Sequence, residues 1–499
     1  MEATKTKQGQ NEFGDFQTPA ALAAEVCQLL AAQDFHPATI IEPTCGQGAF
    51  VHAALTHFPT AAVIGVEINR RYVKQLLHSL GGAHGASRAT IEHGDFFAVD
   101  WQAKLRDYRQ PILVLGNPPW VTNSQQAVFQ SANLPAKSNF QQQSGIDAIT
   151  GKSNFDISEW MLRRLLSLLA GGDAQIAMLC KTMVARKVLQ AAWKESLAIE
   201  RAEIREIDAA KHFGVAVDAC LFSCRLGGGR STTTCQTFAS LNAPAPQSEL
   251  GIVDETLIAD IGLYQRWKHL AGDSVYQWRS GVKHDCAKVM ELRRDGKKFC
   301  NGLGQIASLE EQYLFPMLKS SEVAGGKTDS PRRWMLIPQR KIADPTDPIE
   351  QAAPKTWAYL QQHGEALDRR RSSIYRRRPR FSVFGIGDYT FAPWKVAISG
   401  FYKRLQFSVI GDVDGKPIVL DDTAYFLACQ CEREARLIVE LLHSEPAQQF
   451  FTSLIFWNAK RPITVDVLKR LDLLALAREL NAEEELLALR SEKPMSAAI

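Results

Sequence analysis

Between residues 40 and 226, short apolar runs alternate with amphipathic stretches. The runs at 39–42, 62–67, 90–93, 112–116, 174–179, 204–208 and 219–225 have the length and apolar or β-branched content of strands. The stretches at 19–32, 50–56, 70–80, 157–170 and 184–199 repeat apolar residues at three- and four-residue spacing, which predicts helices with one buried face. Strands and helices alternating in this way predict an α/β unit, a doubly wound, Rossmann-like parallel sheet covered by helices.

The pattern changes after residue 226. Gly227-Gly228-Gly229 opens a Ser/Thr-rich, proline-containing stretch to Gln247, read as a linker or, over 232–241, an additional strand. Beyond it come Trp, Arg and short β-like runs, with helical periodicity at 432–443 and from 465 to the end, which predicts a mixed α+β domain. The expected division is therefore 1–226, a linker at 227–250, and 251–499, in keeping with a chain of 499 residues.

Composition adds boundaries rather than a function. Apolar residues make up 45% and charged residues 22%, enough for true cores, and the formal charge of +4 neither demands nor excludes a nucleic-acid partner. Residues 1–10 are polar, and no uncharged apolar stretch approaches the roughly 18–20 residues that span a bilayer, so a soluble cytoplasmic protein with no membrane partner is expected. The ten cysteines are scattered without paired C-x-x-C elements or histidines at zinc spacing, which predicts reduced, mostly buried thiols and no metal.

Two stretches carry chemistry. In Ile41-Glu42-Pro43-Thr44-Cys45-Gly46-Gln47-Gly48-Ala49-Phe50 a strand ends in a glycine turn that opens a helix. Glycines there let backbone amides approach a ligand at the carboxyl edge of the sheet, and Glu67 ends the next strand where a carboxylate can take ribose hydroxyls. A third glycine at the dinucleotide spacing is absent, and the Glu42 carboxylate would repel a pyrophosphate but suits a sulfonium or amine. A methyl-donor site, another nucleotide site and a plain strand-turn all remain open on this stretch alone.

The second stretch is Ile112-Leu113-Val114-Leu115-Gly116-Asn117-Pro118-Pro119-Trp120. Two prolines stiffen the turn, so the Asn117 side-chain oxygen and the Pro118 carbonyl can both accept from one planar amine. Such acceptors favour the tetrahedral geometry in which the nitrogen lone pair attacks a methyl group, and Trp120 offers a face for a heterocycle. A strand-terminating Pro-Pro turn with a half-buried Trp is the alternative.

Together these stretches resemble the gamma-type adenine-N6 DNA methyltransferases, whose motifs run in this order ahead of a target-recognition domain. The resemblance implies an S-adenosyl-L-methionine-dependent enzyme acting on an adenine flipped out of duplex DNA. Residue by residue, Thr18 and Pro19 resemble the N-terminal donor motif, and Glu42, Pro43, Gly46, Gly48 and Phe50 the glycine motif. Glu67 and Ile68 fall at the ribose-binding acid, and Asp95 and Phe96 at the contact to the donor's adenine. Asn117, Pro118, Pro119 and Trp120 match the catalytic tetrapeptide, with Trp where Tyr or Phe is commoner. Phe213, in Asp208-Ala209-Ala210-Lys211-His212-Phe213, falls where the family carries a second aromatic against the target base. Trp at the fourth position also occurs in cytosine-N4 methyltransferases, which more often begin the tetrapeptide with Ser, and methyltransferases of ribosomal RNA or of release-factor glutamine share the tetrapeptide; all stay open as alternatives.

In the second half, Arg369, Arg370, Arg371, Arg376, Arg377, Arg378 and Arg380 lie within twelve positions, as phosphate neutralisation requires; a solvated charge run is the alternative. The segments 391–403, ending in Lys403, 421–426 and 456–463 resemble the family's specificity domain, so duplex DNA is the expected partner. A Gln-, Asn- and Ser-rich stretch at 122–154 reads as a surface loop or one that orders over DNA. Only about 15 residues precede the first helix, and no paired-carboxylate nuclease core is apparent. A monomeric, stand-alone modification enzyme with a separate restriction endonuclease or defence subunit is expected.

Overall fold

A computed structural model describes residues 16–121, 156–229, 231–296 and 298–491. They form two compact units, divided between Ile261 and Gly262.

The first unit is built on one sheet with strands β1 (Thr39–Glu42), β2 (Ala62–Glu67), β3 (Ala89–His93), β4 (Ile112–Gly116) and β5 (Ala174–Lys181). These are followed by β6 (Ile199–Ile207), β7 (Ala219–Leu226), β8 (Thr234–Phe238), β9 (Ser248–Val253) and β10 (Thr256–Ile258). Their order is β10-β9-β8-β6-β7-β5-β4-β1-β2-β3. The helices are α1 (Ala20–Ala31), α2 (Ala49–His57), α3 (Arg70–Leu80), α4 (Trp101–Asp107), α5 (Ile157–Leu169), α6 (Thr182–Lys194) and α7 (Ala209–Phe213).

β1 and β4 are buried at every position, because helices cover both faces of the sheet centre. Leu22 and Val26 of α1 and Phe50 and Val51 of α2 join Ile40, Val63 and Leu113 of the strands in one core cluster. Each such side chain contributes roughly 1.5–3 kcal/mol on burial.

The sheet is mixed rather than parallel. β7 runs antiparallel to both β5 and β6. The physical reason is the short β6–β7 connection, whose only helix, α7, has five residues, too few for the crossover a parallel return needs. The domain boundary also moves. β8 pairs in parallel with β6, and β9 and β10 extend the sheet by hairpin pairing, so residues 227–258 belong to the first unit and the second begins at Gly262, not at 251.

The second unit holds a six-stranded sheet, from Ile306–Ala307 at one edge to Val419–Leu420 at the other, and a four-stranded sheet with Trp394–Ser399 and Ala424–Cys429 at its centre. The helix Glu432–His443 packs on the four-stranded sheet through Ala435, Ile438, Leu441 and Leu442. From 465 onwards the chain forms three short helices, Val465–Leu468, Leu473–Glu479 and Glu483–Ser491.

Gly48 joins β1 to α2 with φ of 87°, and a Cβ there would lie 2.2 Å from Leu76 Cδ1. Gly48→Ala therefore meets both a left-handed backbone and a filled core position. It is expected to lower the unfolding free energy by about 1–3 kcal/mol or more, read from urea denaturation. A midpoint equal to that of the unsubstituted protein would show that the turn relaxes freely.

Candidate functional site

Chain order reverses in the sheet between β1 and β4, and open α/β sheets bind ligands in the crevice outside the carboxyl ends of such strands. A cavity of about 310 Å³ lies there. The ends of four parallel strands deliver its wall: 42–46 after β1, 67–69 after β2, 94–96 after β3, and Asn117 and Pro119 after β4, with 16–18 from the segment before α1.

The glycine turn folds onto Glu67. The Gly46 amide donates to Glu67 Oε2 at 2.8 Å, and the Asn69 amide donates to Oε1 at 2.7 Å. The Gln47 amide donates to Gln17 Oε1 at 3.0 Å, which ties the turn to the chain before α1. Asp95 Oδ1 accepts from the Phe97 amide at 2.9 Å, and the buried Phe96 ring packs against Trp101 with centroids 5.3 Å apart.

Three buried polar atoms on residues of this wall have no protein partner among the described residues: Glu42 Oε2, Thr44 Oγ1 and Asn117 Oδ1. An unpaired buried polar atom costs roughly 1–3 kcal/mol, so their concentration in one cavity marks a place that a polar ligand completes. Burial pushes the Glu42 carboxyl well above the ordinary carboxylate range; the nearby Glu67 charge adds to this, and the Val51 backbone hydrogen bond opposes it.

The Asn117 amide has a defined orientation. Its Nδ2 donates to the Phe16 carbonyl at 3.0 Å, which leaves Oδ1 as the open acceptor. Trp120 is 5% exposed, and its indole N–H donates to the Leu179 carbonyl at 3.3 Å. The Trp120 and Phe213 rings touch edge to face with centroids 5.1 Å apart, and Phe16 packs against both at 6.1 and 6.4 Å.

Of the residues nominated from sequence, Thr18, Glu42, Pro43, Gly46, Glu67, Ile68, Asp95, Phe96, Asn117 and Pro119 meet in this cavity. Pro19, Gly48, Pro118 and Trp120 stand outside its wall and shape the turns that supply it. Phe50 is corrected from ligand contact to core: it is 1% exposed, on the face of α2 turned into the sheet. Trp120 and Phe213, both expected against the target base, pack in this conformation on each other and on Phe16. Sequence reasoning missed Phe16, Gln17, Asn69 and Tyr72. Phe16 and Gln17 directly precede Thr18-Pro19, and that adjacency was the available signal. Residues 122–154 lie outside the described residues.

In the second unit the arginine run splits. Arg370 is half-buried and serves its own unit: it donates to the carbonyls of Leu367 and Ser382 at 2.8 and 2.7 Å and lies 3.8 Å over the Tyr375 ring. Arg380 pairs with Asp368 at 2.8 Å, and Arg369 pairs with Glu365 one helical turn away. Arg371, Arg376, Arg377, Arg378 and Lys403 are exposed. Arg377 adopts φ of 65°, in the left-handed region that side chains seldom occupy.

Fold and site together define a ligand-binding α/β enzyme whose cavity abuts an Asn-Pro-Pro-Trp loop. No family model matches the chain. It is 45% identical over 469 residues to "Type II methyltransferase M.NspV" from Nostoc sp., covering 94% of this chain and 97% of that one. A second relative, "Type II methyltransferase M.CvrRI" from Paramecium bursaria Chlorella virus XZ-6E, is 32% identical over 117 residues, 23% of this chain and 27% of that one. Among solved structures, the Type IIL restriction-modification enzyme MmeI, determined in complex with DNA, superposes with a TM-score of 0.53 at 15% identity, covering 99% of this chain and 71% of that one, which shows a shared fold. The chain belongs to the type II DNA methyltransferase family.

The raised Glu42 pKa has a consequence for stability. The folded chain keeps a proton that the unfolded chain loses near its ordinary value of 4.5, so this contribution is complete below that pH and is lost as pH rises towards the folded value. Glu42→Gln, which cannot ionise, should flatten the fall in melting temperature above that pH, measured without ligand. Parallel profiles for the two proteins would show that Glu42 is already ionised in the fold.

Proposed function

We propose that this enzyme transfers a methyl group to the N6 amine of an adenine extruded from duplex DNA at a specific sequence. The methyl donor is S-adenosyl-L-methionine, which supplies an electrophilic methyl on a sulfonium. Glu42, Thr44, Glu67, Asp95 and Phe96 would hold it, and the unpaired Glu42 and Thr44 oxygens fit a hydrogen-bonding ligand.

The observation that carries the reading is the Asn117 amide. Because its N–H is committed to the Phe16 carbonyl, Oδ1 is left as a buried acceptor beside the cavity. A planar exocyclic amine has two hydrogens to give, and the Pro118 carbonyl, on a backbone stiffened by two prolines, is the second acceptor. Withdrawing both hydrogens from the ring plane frees the nitrogen lone pair for attack, and acceptors fixed in advance lower the barrier without reorganisation. Extruding the base costs a few kcal/mol. Trp120, Phe213 and Phe16 form the aromatic cluster against which an extruded ring would rest once the cluster parts.

In the second unit, Arg371, Arg376, Arg377, Arg378 and Lys403 supply phosphate contacts, while Arg370 and Arg380 keep the loop that carries these arginines in shape. A separate endonuclease would cut sites that this enzyme leaves unmodified.

Methylation-aware sequencing of an expressing host tests the whole reading. N6-methyladenine at one recurring sequence is expected, and N4-methylcytosine or unmodified DNA would overturn it. Asn117→Ala should retain donor affinity by calorimetry while turnover falls by about 10²–10³; turnover within about threefold of the unsubstituted enzyme would remove Asn117 from the mechanism. Neutralising Arg376, Arg377 and Arg378 together should flatten the dependence of DNA affinity on log salt by about 0.9 per lost phosphate contact. An unchanged slope would return these residues to a solvated surface.

A further inference from the structure

Lys181 is the last residue of β5, on the opposite side of the Asn-Pro-Pro-Trp loop from the cavity wall formed by β1 and β2. Its Nζ donates to the Trp120 carbonyl at 2.9 Å and to Asp156 Oδ2 at 2.7 Å. Asp156 uses its other oxygen to accept from the amide of Ser158 at 3.1 Å, capping α5. One residue beyond each partner, the Ile157 amide donates to the Val121 carbonyl at 3.0 Å. The Trp120 indole donates to Leu179, two residues before Lys181. The end of β5 and the start of α5 thus grip the loop's exit through its backbone and its last side chain.

We propose that Lys181, held by Asp156, is a positioning residue that sets where the catalytic tetrapeptide sits; the inference rests on the assignment of Asn117 and Pro118 as amine acceptors. The reason is mechanical. Pro118 and Pro119 leave little freedom in φ, so the position of the Trp120 carbonyl is passed back to the Pro118 carbonyl and to Asn117. The grip is strong for its size: one ammonium makes two hydrogen bonds, one to a carboxylate, with side chains only 22% and 9% exposed. A misplacement of about 1 Å at reacting groups costs on the order of a hundredfold in rate. Neither Lys181 nor Asp156 lines the wall that would hold the donor, so their loss should act on turnover more than on donor affinity.

The test uses Lys181→Met, Lys181→Arg and Asp156→Asn in the full-length enzyme, the last keeping the helix cap while removing the charge. Hydrogen exchange followed by mass spectrometry should show the Ile157 amide, which donates to the Val121 carbonyl, exchanging about tenfold faster or more in Lys181→Met, with 42–50 unchanged. Unchanged exchange would overturn the grip whatever base the enzyme modifies. Total methyl transfer to DNA should fall by about ten- to a hundredfold in Lys181→Met, with donor affinity held within about threefold by calorimetry. Lys181→Arg, which can still reach both acceptors, should recover most of that loss. Adding Asp156→Asn to Lys181→Met should cost little more, as for residues acting through one contact. Faster exchange with unaltered turnover, or equal losses of turnover and donor affinity, would overturn the positioning role. The base carrying the methyl group decides the adenine assignment separately: N4-methylcytosine would defeat that assignment and leave the exchange result standing.

Discussion

Where β1 and β4 part, the chain keeps Glu42 Oε2 and Asn117 Oδ1 buried without protein partners among the described residues. Such burial is unfavourable, and it persists because the surrounding backbone leaves the side chains no alternative. Pro43 follows one and Pro118-Pro119 the other. Gly116 adopts φ of 152°, and a Cβ there would press on Glu42 Cγ at 3.3 Å, so the two strand ends can approach only with glycine at that position. The cavity is the consequence: its polar oxygens are placed before any ligand arrives, and the ligand supplies what the fold withholds.

The two halves of the site are held by different parts of the molecule. The glycine turn, Glu67 and Gln17 hold each other through backbone amides on the β1–β2 side. On the β5 side, Leu179, Lys181 and Asp156 hold the loop that carries Asn117. Phe16 links the two, since it precedes Gln17, accepts from Asn117 and packs its ring on Trp120. A short segment ahead of α1 therefore sets the distance between the wall that would hold the donor and the acceptor loop.

In the second unit, the arginine run is less uniform than its spacing implies. Arg370 and Arg380 tie the loop 369–380 to its own unit, through carbonyls, Asp368 and the Tyr375 and Phe381 rings. Neighbouring arginines face solvent on that tethered loop, so their charge is presented from a defined place rather than from a freely moving tail.

The sequence by itself determined the α/β alternation, the turn at 43–48 and the Asn-Pro-Pro-Trp loop, because these depend on neighbours in the chain: apolar period, glycine at a left-handed turn, proline stiffness. Most strand ends follow from such local rules, and the wall residues Glu42, Pro43, Gly46, Glu67, Asn117 and Pro119 lie in the stretches they pick out. Only the tertiary structure decided that β7 returns antiparallel and that β8 to β10 join the first sheet, since strand pairing is settled by which edge is free. It alone turned Phe50 into the core, packed the aromatic pair together, and separated the arginines that brace their loop from those that face water. These outcomes rest on partners distant in sequence: Phe16 lies 101 positions from Asn117 and Lys181 lies 61 from Trp120, and no local pattern encodes a contact across such a separation.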